Sequence, residues 1–459
     1  MIPRYSRVVA IDDNEDHLKA ITWGLSQAGF CPVPLRFDDG DLLPAPEAPI
    51  TGVRIVFSDI HMAPGNLANL KMHSGIIIQC LKKIAASGPY ALIFWSMYPA
   101  DVDQMKNLIE ADGPGTGLVP PIAYGTIDKN MVLGADGSGT FDAEELRRLI
   151  AEQMANFPTL ATAAQWEMRA AMAAAKTTDA VYSLTPTSAA EQRTTQWESL
   201  LAFLAAEAVG PAVAPRNIDA ALDSALLPIL EDQLSFVGGT SATPIPETHP
   251  LRIAMSVAPR PPRPVGVSVA RLNASYLIDE AGVASPKGEF ERGMVIQLPG
   301  SFINSGPFMR QFGKERSDLV RAEFLLRDKA RTASAEDVGK LELHVVELGP
   351  ECDHVQGKMS MHRFLLALLV PSALISLCKS KKSGELSNGS VIDAGLVAFK
   401  KVPEEEFHLL ISTRCYMTLA PGYALGGLCR FRLRRLSIEE VVHHYTTHVR
   451  RPGVMRFRA

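Results

Sequence analysis

Residues 7–13 read RVVAIDD, a short apolar run that ends in two adjacent aspartates. A run of this length is too short for a buried helix and is typical of a buried parallel strand. Three further runs of the same kind follow in the first third of the chain: VRIVFS at 53–58, ALIFW at 91–95 and IAY at 122–124. Each run is bounded by polar or Gly/Pro-rich residues, so the pattern predicts four strands.

The segments between these runs have helical periodicity. Residues 17–28 place apolar side chains three and four positions apart, and residues 76–86 and 102–110 fit the same pattern. Strands that alternate with helices predict a parallel sheet covered on both faces. We therefore expect a doubly wound α/β domain over residues 1–150.

The middle of the chain changes character. Residues 151–237 are rich in Ala, Leu, Gln and Glu without a strand pattern, which predicts a connector of two or three helices. Residues 238–264 contain seven prolines and include APRPPRP. Such a composition predicts an extended, semi-rigid linker and a domain boundary.

The last part of the chain, residues 265–459, is dominated by strand-like runs that begin with VGVSVARL at 265–272. Helix-like insertions are predicted at 317–331 and 362–378. The expectation is a β-rich α+β domain.

Bulk properties limit the possible environments. The net charge is -4, and the six cysteines form no CxxC pair, which fits a reducing compartment. The most apolar stretch, Phe364–Cys378, is shorter than the roughly 20 residues of a membrane-spanning helix. The N-terminus does not have the pattern of a signal peptide. We expect a cytoplasmic protein without a membrane segment.

The arginines that follow Cys429 are not accompanied by a DNA-binding motif, so a nucleic-acid partner is not expected.

Polar residues stand where each predicted strand of the first third ends. Asp12 and Asp13 follow the first strand, Asp59 the second and Ser96 the third, and Lys129 comes shortly after the fourth. Ligands of doubly wound sheets bind beyond the carboxyl ends of the strands. Carboxylates can bind magnesium and one can act as a nucleophile, while a lysine neutralises phosphate charge. This combination indicates phosphoryl transfer.

The stretches VVAIDDN and SDIHM resemble the receiver domains of two-component response regulators, over roughly residues 5 to 150. The resemblance implies a flavodoxin-like sheet and a phosphoryl group accepted from a histidine kinase. It also implies a role for each candidate residue. Asp59 would be the phosphoacceptor and a magnesium ligand, Asp13 a direct magnesium ligand, and Asp12 would act near the metal through water. The His61 backbone carbonyl would be a further magnesium ligand, Ser96 the switch hydroxyl and Lys129 the phosphate-pairing lysine.

Three positions depart from the receiver pattern. Ala63 separates Met62 from the proline that usually follows it, Met97 replaces a small residue, and Asn130 replaces the proline after the lysine. These changes affect the usual coupling of switch hydroxyl and aromatic side chain. They leave open a receiver-like scaffold that is not phosphorylated.

A second group of candidate residues, Cys352, His354 and His362, lies in the C-terminal part. Thiolate and imidazole are zinc ligands, and a cysteine near a histidine can be a nucleophile. An ordinary polar loop explains the same residues without function. His443, His444 and His448 form another group, for which an exposed helical face is the simpler interpretation.

The stretches ECDHVQGK at 351–358 and HHYTTHVRRPGVMRF at 443–457 resemble C-terminal domains of receiver-containing proteins of bacterial phage-defence two-component systems. The expected function is therefore that of a phosphorelay signalling protein that controls or buffers a response and is not a turnover enzyme. Expected partners are a histidine kinase and a downstream effector or second receiver, and a homodimer is left open. The alternative is an effector enzyme with its site around Cys352, His354 and His362.

Overall fold

The computed structural model of the chain consists of two compact units. The N-terminal unit is Met1–Val181 with Ile229–Pro261, and the C-terminal unit is Tyr182–Pro228 with Pro262–Ala459. The residues that the structure describes are 7–63, 67–85, 87–133, 142–185, 190–237, 247–256, 266–280, 290–380, 382–387, 389–400, 402–423 and 425–449.

The N-terminal unit contains a six-stranded sheet with the order β3-β2-β1-β4-β5-β6. Its strands are β1 Val8–Asp12, β2 Pro32–Asp38, β3 Asp41–Leu43, β4 Ile55–Ser58, β5 Ala91–Ser96 and β6 Ala123–Asp128. All neighbouring pairs are parallel except the edge pair of β2 and β3, which is antiparallel. The predicted parallel α/β sheet is confirmed.

All four predicted strands are present, but only the first three are apolar runs that the sheet buries completely. The fourth, β6, is partly buried, and Ile122 of the predicted run lies before the strand and is exposed. Every residue of β1, β4 and β5 is buried, as expected for central strands covered on both faces. The prediction omitted β2, whose sequence PVPLRFD contains two prolines. Proline lacks a backbone N–H and weakens a strand pattern, yet β2 pairs with β1 over five residues.

Nine α-helices are described between β1 and residue 256. They are α1 Glu15–Gln27, α2 Leu70–Ile84, α3 Val102–Asp112, α4 Asn130–Leu133, α5 Ala143–Ala155, α6 Pro158–Tyr182, α7 Ala190–Val209, α8 Ile218–Val237 and α9 Pro250–Met255. The predicted helices at 17–28, 76–86 and 102–110 are confirmed as α1, α2 and α3.

The stretch 151–237 contains the end of α5 and the whole of α6, α7 and α8, in line with the helical character predicted for it. It is divided between the units at two points, after Val181 near the end of α6 and after Pro228 within α8. The prediction of an extended linker was wrong at α9. That helix starts with Pro250, and the His249 side chain before it accepts a hydrogen bond from the backbone N–H of Leu251. Proline suits a first helical position because its missing N–H has no partner there anyway. Residues 238–246 and 257–264 of the predicted linker lie outside the described residues.

Both faces of the N-terminal sheet are covered. On one face, Ile21 and Leu25 of α1 pack with Leu146 of α5 against β1 and β4. On the other face, apolar residues of α2 and α3 form a second core with the same strands. The long helix α6 is fixed to this unit by Glu167, which accepts hydrogen bonds from the Arg54 guanidinium at 2.5 and 3.1 Å.

The C-terminal unit contains a seven-stranded sheet in which all neighbouring strands are antiparallel, with the order β11-β12-β10-β9-β8-β13-β7. The strands are β7 Ile278–Asp279, β8 Met294–Gln297, β9 Glu342–Glu347, β10 His362–Pro371, β11 Val391–Phe399, β12 Val402–Leu419 and β13 Cys429–Leu433. The predicted β-rich character of this part is confirmed.

Helices surround this second sheet: α10 Val269–Leu277, α11 Gly300–Ile303, α12 Gly306–Phe312, α13 Arg316–Glu323, α14 Arg327–Thr332, α15 Ala335–Gly339, α16 Glu351–Val355 and α17 Arg435–Val449. The helical insertion predicted at 317–331 corresponds to α13 and α14.

Two element types in the C-terminal part were predicted wrongly. Residues 362–378 were expected to be a helix, but His362–Pro371 forms the strand β10, which pairs with β9 and β12 on its two sides. A continuous apolar run does not distinguish a central strand from a buried helix. Residues 265–272 were expected to be a strand, but α10 begins at Val269, where the Ser268 side chain caps the helix by accepting from the Arg271 N–H.

Candidate functional site

The sheet of the N-terminal unit brings the predicted site residues to one edge. Asp12 is the last residue of β1, Asp59 directly follows β4, Ser96 is the last residue of β5, and Lys129 directly follows β6. These strands are parallel, so their carboxyl ends lie at the same edge of the sheet.

Lys129 is the centre of this group. Its Nζ donates hydrogen bonds to Asp12 Oδ2 at 2.7 Å and to Asp59 Oδ2 at 2.8 Å. The side chains of Lys129 and Asp12 are completely buried, and Asp59 keeps 11% of its side chain exposed. A buried ammonium is tolerated here because two carboxylates surround it. The partial exposure makes Asp59 the more accessible of the two acids.

The other oxygens of the two acids are held by the backbone. Asp12 Oδ1 accepts from the Asn14 N–H at 2.9 Å, and Asp59 Oδ1 accepts from the Ile60 N–H at 2.7 Å. These short local bonds fix the orientation of both carboxylates. Asn14 is also the N-cap of α1, where its side chain accepts hydrogen bonds from the backbone N–H groups of Asp16 and His17.

Burial and charge shift the acid–base properties of the group. Burial raises the pKa of Asp12 to about 7, against the lowering effect of Lys129, and burial together with Asp59 raises the pKa of Asp13. Burial alone would lower the pKa of Lys129, but Asp59 and Asp12 outweigh it and the pKa is raised. Lys129 is therefore a stable cation that offsets part of the negative charge.

The three acids fit a hard divalent cation. Asp12, Asp13 and Asp59 each offer a carboxylate oxygen, and these atoms lie within 4.8 Å of one another. Magnesium prefers oxygen ligands, and a raised carboxylate pKa indicates negative charge that a cation would stabilise. The cluster can hold a metal ion, and its donor atoms suit Mg²⁺.

Comparison with protein-family models, with curated proteins and with solved structures found no match for this chain.

Ser96 is tied to the site through the backbone. Its carbonyl accepts a hydrogen bond from the Lys129 N–H at 2.9 Å, and its buried hydroxyl accepts from the Tyr98 N–H at 3.2 Å. The role of Ser96 as a switch hydroxyl stays a prediction, since it concerns a phosphorylated state.

His61 is buried next to the site. Its Nε2 lies 3.3 Å from Asp101 Oδ2, and its ring packs edge-on against Tyr98 with centroids 4.7 Å apart. These contacts hold the His61 side chain, which lies two residues after Asp59 in the loop that follows β4. The predicted ligand, the backbone carbonyl of His61, stays a prediction.

Sequence reasoning missed His17. This residue of the first turn of α1 has its Nδ1 3.3 Å from Lys129 Nζ and 4.0 Å from Asp12 Oδ1. Burial and Lys129 lower the pKa of His17, so its neutral ring accepts the third hydrogen bond of the ammonium. The available signal was its position in the helix turn that follows the aspartate pair.

In the C-terminal unit the structure brings together two of the three predicted residues. His354 and His362 both contact Glu347, which sequence reasoning missed. The side chain of Cys352 lies outside the described residues.

The remaining candidates form no comparable group in the described part of the chain. His443 and His444 are exposed on α17, and Arg430 and Arg432 pair with Glu342 and Asp279. The arginines beyond residue 449 lie outside the described residues. None of the described helices is long and apolar enough to cross a membrane.

Proposed function

We propose that the N-terminal unit is a receiver module that accepts a phosphoryl group on Asp59 in the presence of Mg²⁺. The observation that carries the proposal is the contact of Lys129 Nζ with both Asp12 and Asp59, beside Asp13. An ammonium and three carboxylates at one sheet edge are the groups that phosphoryl transfer to an aspartate requires.

The sheet topology supports this proposal. Without the antiparallel edge strand β3, the strand order is β2-β1-β4-β5-β6, which is the flavodoxin-like order 2-1-3-4-5 when the parallel strands are counted along the chain. In this order the direction of winding changes between β1 and β4. Asp12 and Asp59 follow these two strands, so the acids lie where doubly wound sheets bind their ligands.

The chemistry follows from the contacts. A carboxylate oxygen of Asp59 forms a bond to phosphorus while the bond from phosphorus to the donor group breaks. The donor leaves with the electron pair and the product is an acyl phosphate on Asp59. Bound Mg²⁺ would be held by Asp13 and Asp59 with Asp12 near it, and it would neutralise phosphoryl charge. Lys129 already neutralises charge at this position before the transfer.

The biological output follows from the added charge. Phosphorylation adds negative charge beside Asp12 and Asp13, and this charge biases how nearby loops and Lys129 pack. We propose a signalling protein that receives its phosphoryl group from a histidine kinase and controls or buffers a response. A downstream effector or second receiver is the proposed reader of the phosphorylated state.

The test is intact-mass spectrometry of the full chain after incubation with a small phosphodonor, with and without Mg²⁺. Wild type should gain one phosphoryl mass only with Mg²⁺, and Asp59→Asn should gain none. Asp112→Asn, an exposed carboxylate on α3, is the matched control and should behave as wild type. If wild type gains no mass even with a histidine kinase as donor, or if Asp59→Asn gains as much, the proposal is wrong.

A further inference from the structure

A second buried cluster lies in the C-terminal unit, where one strand of the sheet connects to the next. Glu347 is the last residue of β9, His354 belongs to α16, and His362 is the first residue of β10. His354 Nε2 lies 2.7 Å from Glu347 Oε2, and His362 Nδ1 lies 3.3 Å from Glu347 Oε1. One atom from each residue lies within 4.8 Å of the other two.

The charge of Glu347 requires a partner. Its side chain is completely buried, and Oε2 also accepts a hydrogen bond from the Gly349 N–H at 2.9 Å. Among the described residues, no lysine or arginine forms an ion pair with it. A buried carboxylate without a compensating cation is costly, and the imidazole nitrogens beside it are atoms that bind metal ions. The geometry therefore favours a cation shared by the two imidazoles and the carboxylate.

The turn after β9 is shaped around this cluster. A Cβ added to Gly349 would lie 2.7 Å from His354 Nε2 and 2.8 Å from Glu347 Oε1, closer than carbon contacts allow. The Gly349 carbonyl accepts a hydrogen bond from Arg292 Nε at 3.0 Å, which holds the turn in place. Only glycine permits the backbone to approach both side chains this closely.

We propose that Glu347, His354 and His362 bind one divalent transition-metal ion, with Zn²⁺ as the expected occupant. Two imidazole nitrogens and one carboxylate oxygen are a recurrent ligand set for zinc, and three protein ligands leave a coordination position for water or another ligand. His354 keeps 13% of its side chain exposed, which gives the ion a path from solvent. This site lies in the other unit and does not depend on the function proposed for Asp59.

Bound metal would also have a structural effect. The three ligands join the end of β9, the helix α16 and the start of β10, so one ion would close the connection between two paired strands. Binding to the folded state alone stabilises it in proportion to the logarithm of the free metal concentration. Zinc should therefore raise the unfolding temperature of the full chain.

The experiment uses the full chain, stripped of metal with a chelator and then titrated with Zn²⁺ against a chromogenic chelator in excess Mg²⁺. Mg²⁺ keeps the acidic cluster of the N-terminal unit occupied during the titration. Bound zinc is counted by plasma mass spectrometry after desalting. Wild type should bind about one zinc ion per chain, with a higher unfolding temperature when zinc is present.

Two variants test the ligands separately. Glu347→Gln keeps the shape and the acceptor for Gly349 but removes the charge, and His354→Gln changes the partly exposed ligand. Both should lose zinc affinity by more than the roughly 10- to 100-fold that loss of an outer-shell partner costs. The double variant H443Q/H444Q, which changes exposed histidines of α17, should bind as wild type.

The outcomes are distinct. If wild type binds no zinc, or if Glu347→Gln and His354→Gln bind it as wild type does, the proposal is overturned. If Glu347→Gln does not fold, judged by circular dichroism, His354→Gln decides alone. Loss of phosphorylation on Asp59 would have no bearing on these results, because the readout is bound zinc.

Discussion

The Nζ of Lys129 lies 2.8 Å from Oδ2 of Asp59, although the two residues are 70 positions apart in sequence. The contact exists because β4 and β6 are parallel to the intervening β5, so that the residues following them meet at one edge. The same ammonium bonds to Asp12. Folding of the sheet therefore assembles a buried ionic group before any ligand binds.

The first prediction concerns removal of this ammonium. Lys129→Met leaves Asp12 and Asp59 buried without a cation, so the free energy of unfolding should fall by about 3–5 kcal/mol in the absence of metal. Mg²⁺ should restore part of this loss, because it neutralises the same carboxylates. Denaturant unfolding with and without Mg²⁺ measures both effects.

The matched control is Lys71→Met, an exposed lysine on α2, which should change the stability by less than about 0.5 kcal/mol. Equal stability of the two variants would show that the contacts of Lys129 contribute nothing to folding.

The second prediction concerns the pH dependence of Mg²⁺ affinity. Burial raises the pKa of Asp12 to about 7, so below this pH the metal-free folded chain carries a proton on Asp12. Mg²⁺ favours the ionised carboxylate, so its affinity should rise with pH, by up to about tenfold per pH unit, and level off above about 7. Calorimetric titration across this range measures the profile.

The same shift has a consequence for stability without metal. The folded-state pKa of Asp12 lies above its unfolded value of 3.8, so the folded state binds more protons between pH 3.8 and about 7. The contribution of Asp12 to the free energy of unfolding therefore decreases as pH rises through this window.

Asp12→Asn should bind Mg²⁺ more weakly and with a flatter pH profile. An unchanged wild-type affinity across pH 7 would contradict this account.

The third prediction concerns the packing of α1 on α5, which covers one face of the sheet. A Cβ at Gly24 of α1 would lie 1.9 Å from Cδ2 and 2.8 Å from Cγ of Leu146, which is fully buried. Helix propensity alone would make Gly24→Ala stabilising by about 0.8–1 kcal/mol. Overpacking should reverse the sign and destabilise the chain by about 1–3 kcal/mol.

Two variants check the cause. Gly75→Ala in α2 meets nothing within 4 Å and should stabilise the chain, because there only the propensity changes. The double variant G24A/L146A should be more stable than the sum of its single changes predicts, since the added methyl group enters the space vacated by Leu146. Additive effects in urea unfolding would exclude a direct clash.

The N-terminal site was predictable because its residues follow strands. Short apolar runs locate β1, β4, β5 and β6, and parallel pairing then brings the residues after them to one edge. His17 was missed because its contact with Lys129 depends on how the first turn of α1 faces the sheet. The strand β2 was missed because its prolines mask the strand pattern.

The C-terminal cluster could not be assembled from the sequence. Glu347 and His362 approach one another because β9 and β10 are antiparallel neighbours in which Glu347 pairs with Phe364. Residues 362–378 were predicted to be helical, and in a helix His362 would have no such neighbour. The register between strands depends on which faces are buried throughout the sheet, which a local pattern does not contain.

The last prediction concerns His344, which lies on β9 with no exposed surface. Its Nδ1 donates to the Glu342 carbonyl at 3.0 Å, and its buried Nε2 has no hydrogen-bond partner among the described residues. Burial lowers the pKa of His344 to about 4, because a second proton would place a positive charge in the core, and the nearby Arg430 cation lowers the pKa further.

The sign of the effect follows from the depressed pKa. In the unfolded chain His344 binds a proton near pH 6.5, and in the folded chain only near pH 4. The contribution of His344 to the free energy of unfolding is therefore complete above pH 6.5 and is lost as the pH falls towards 4. The loss approaches about 3 kcal/mol at the lower end of this window. His344→Gln cannot titrate, so its urea midpoint should fall less than that of wild type between these pH values. His444→Gln, an exposed control on α17, should follow wild type, and identical slopes for His344→Gln and wild type would contradict a buried neutral imidazole.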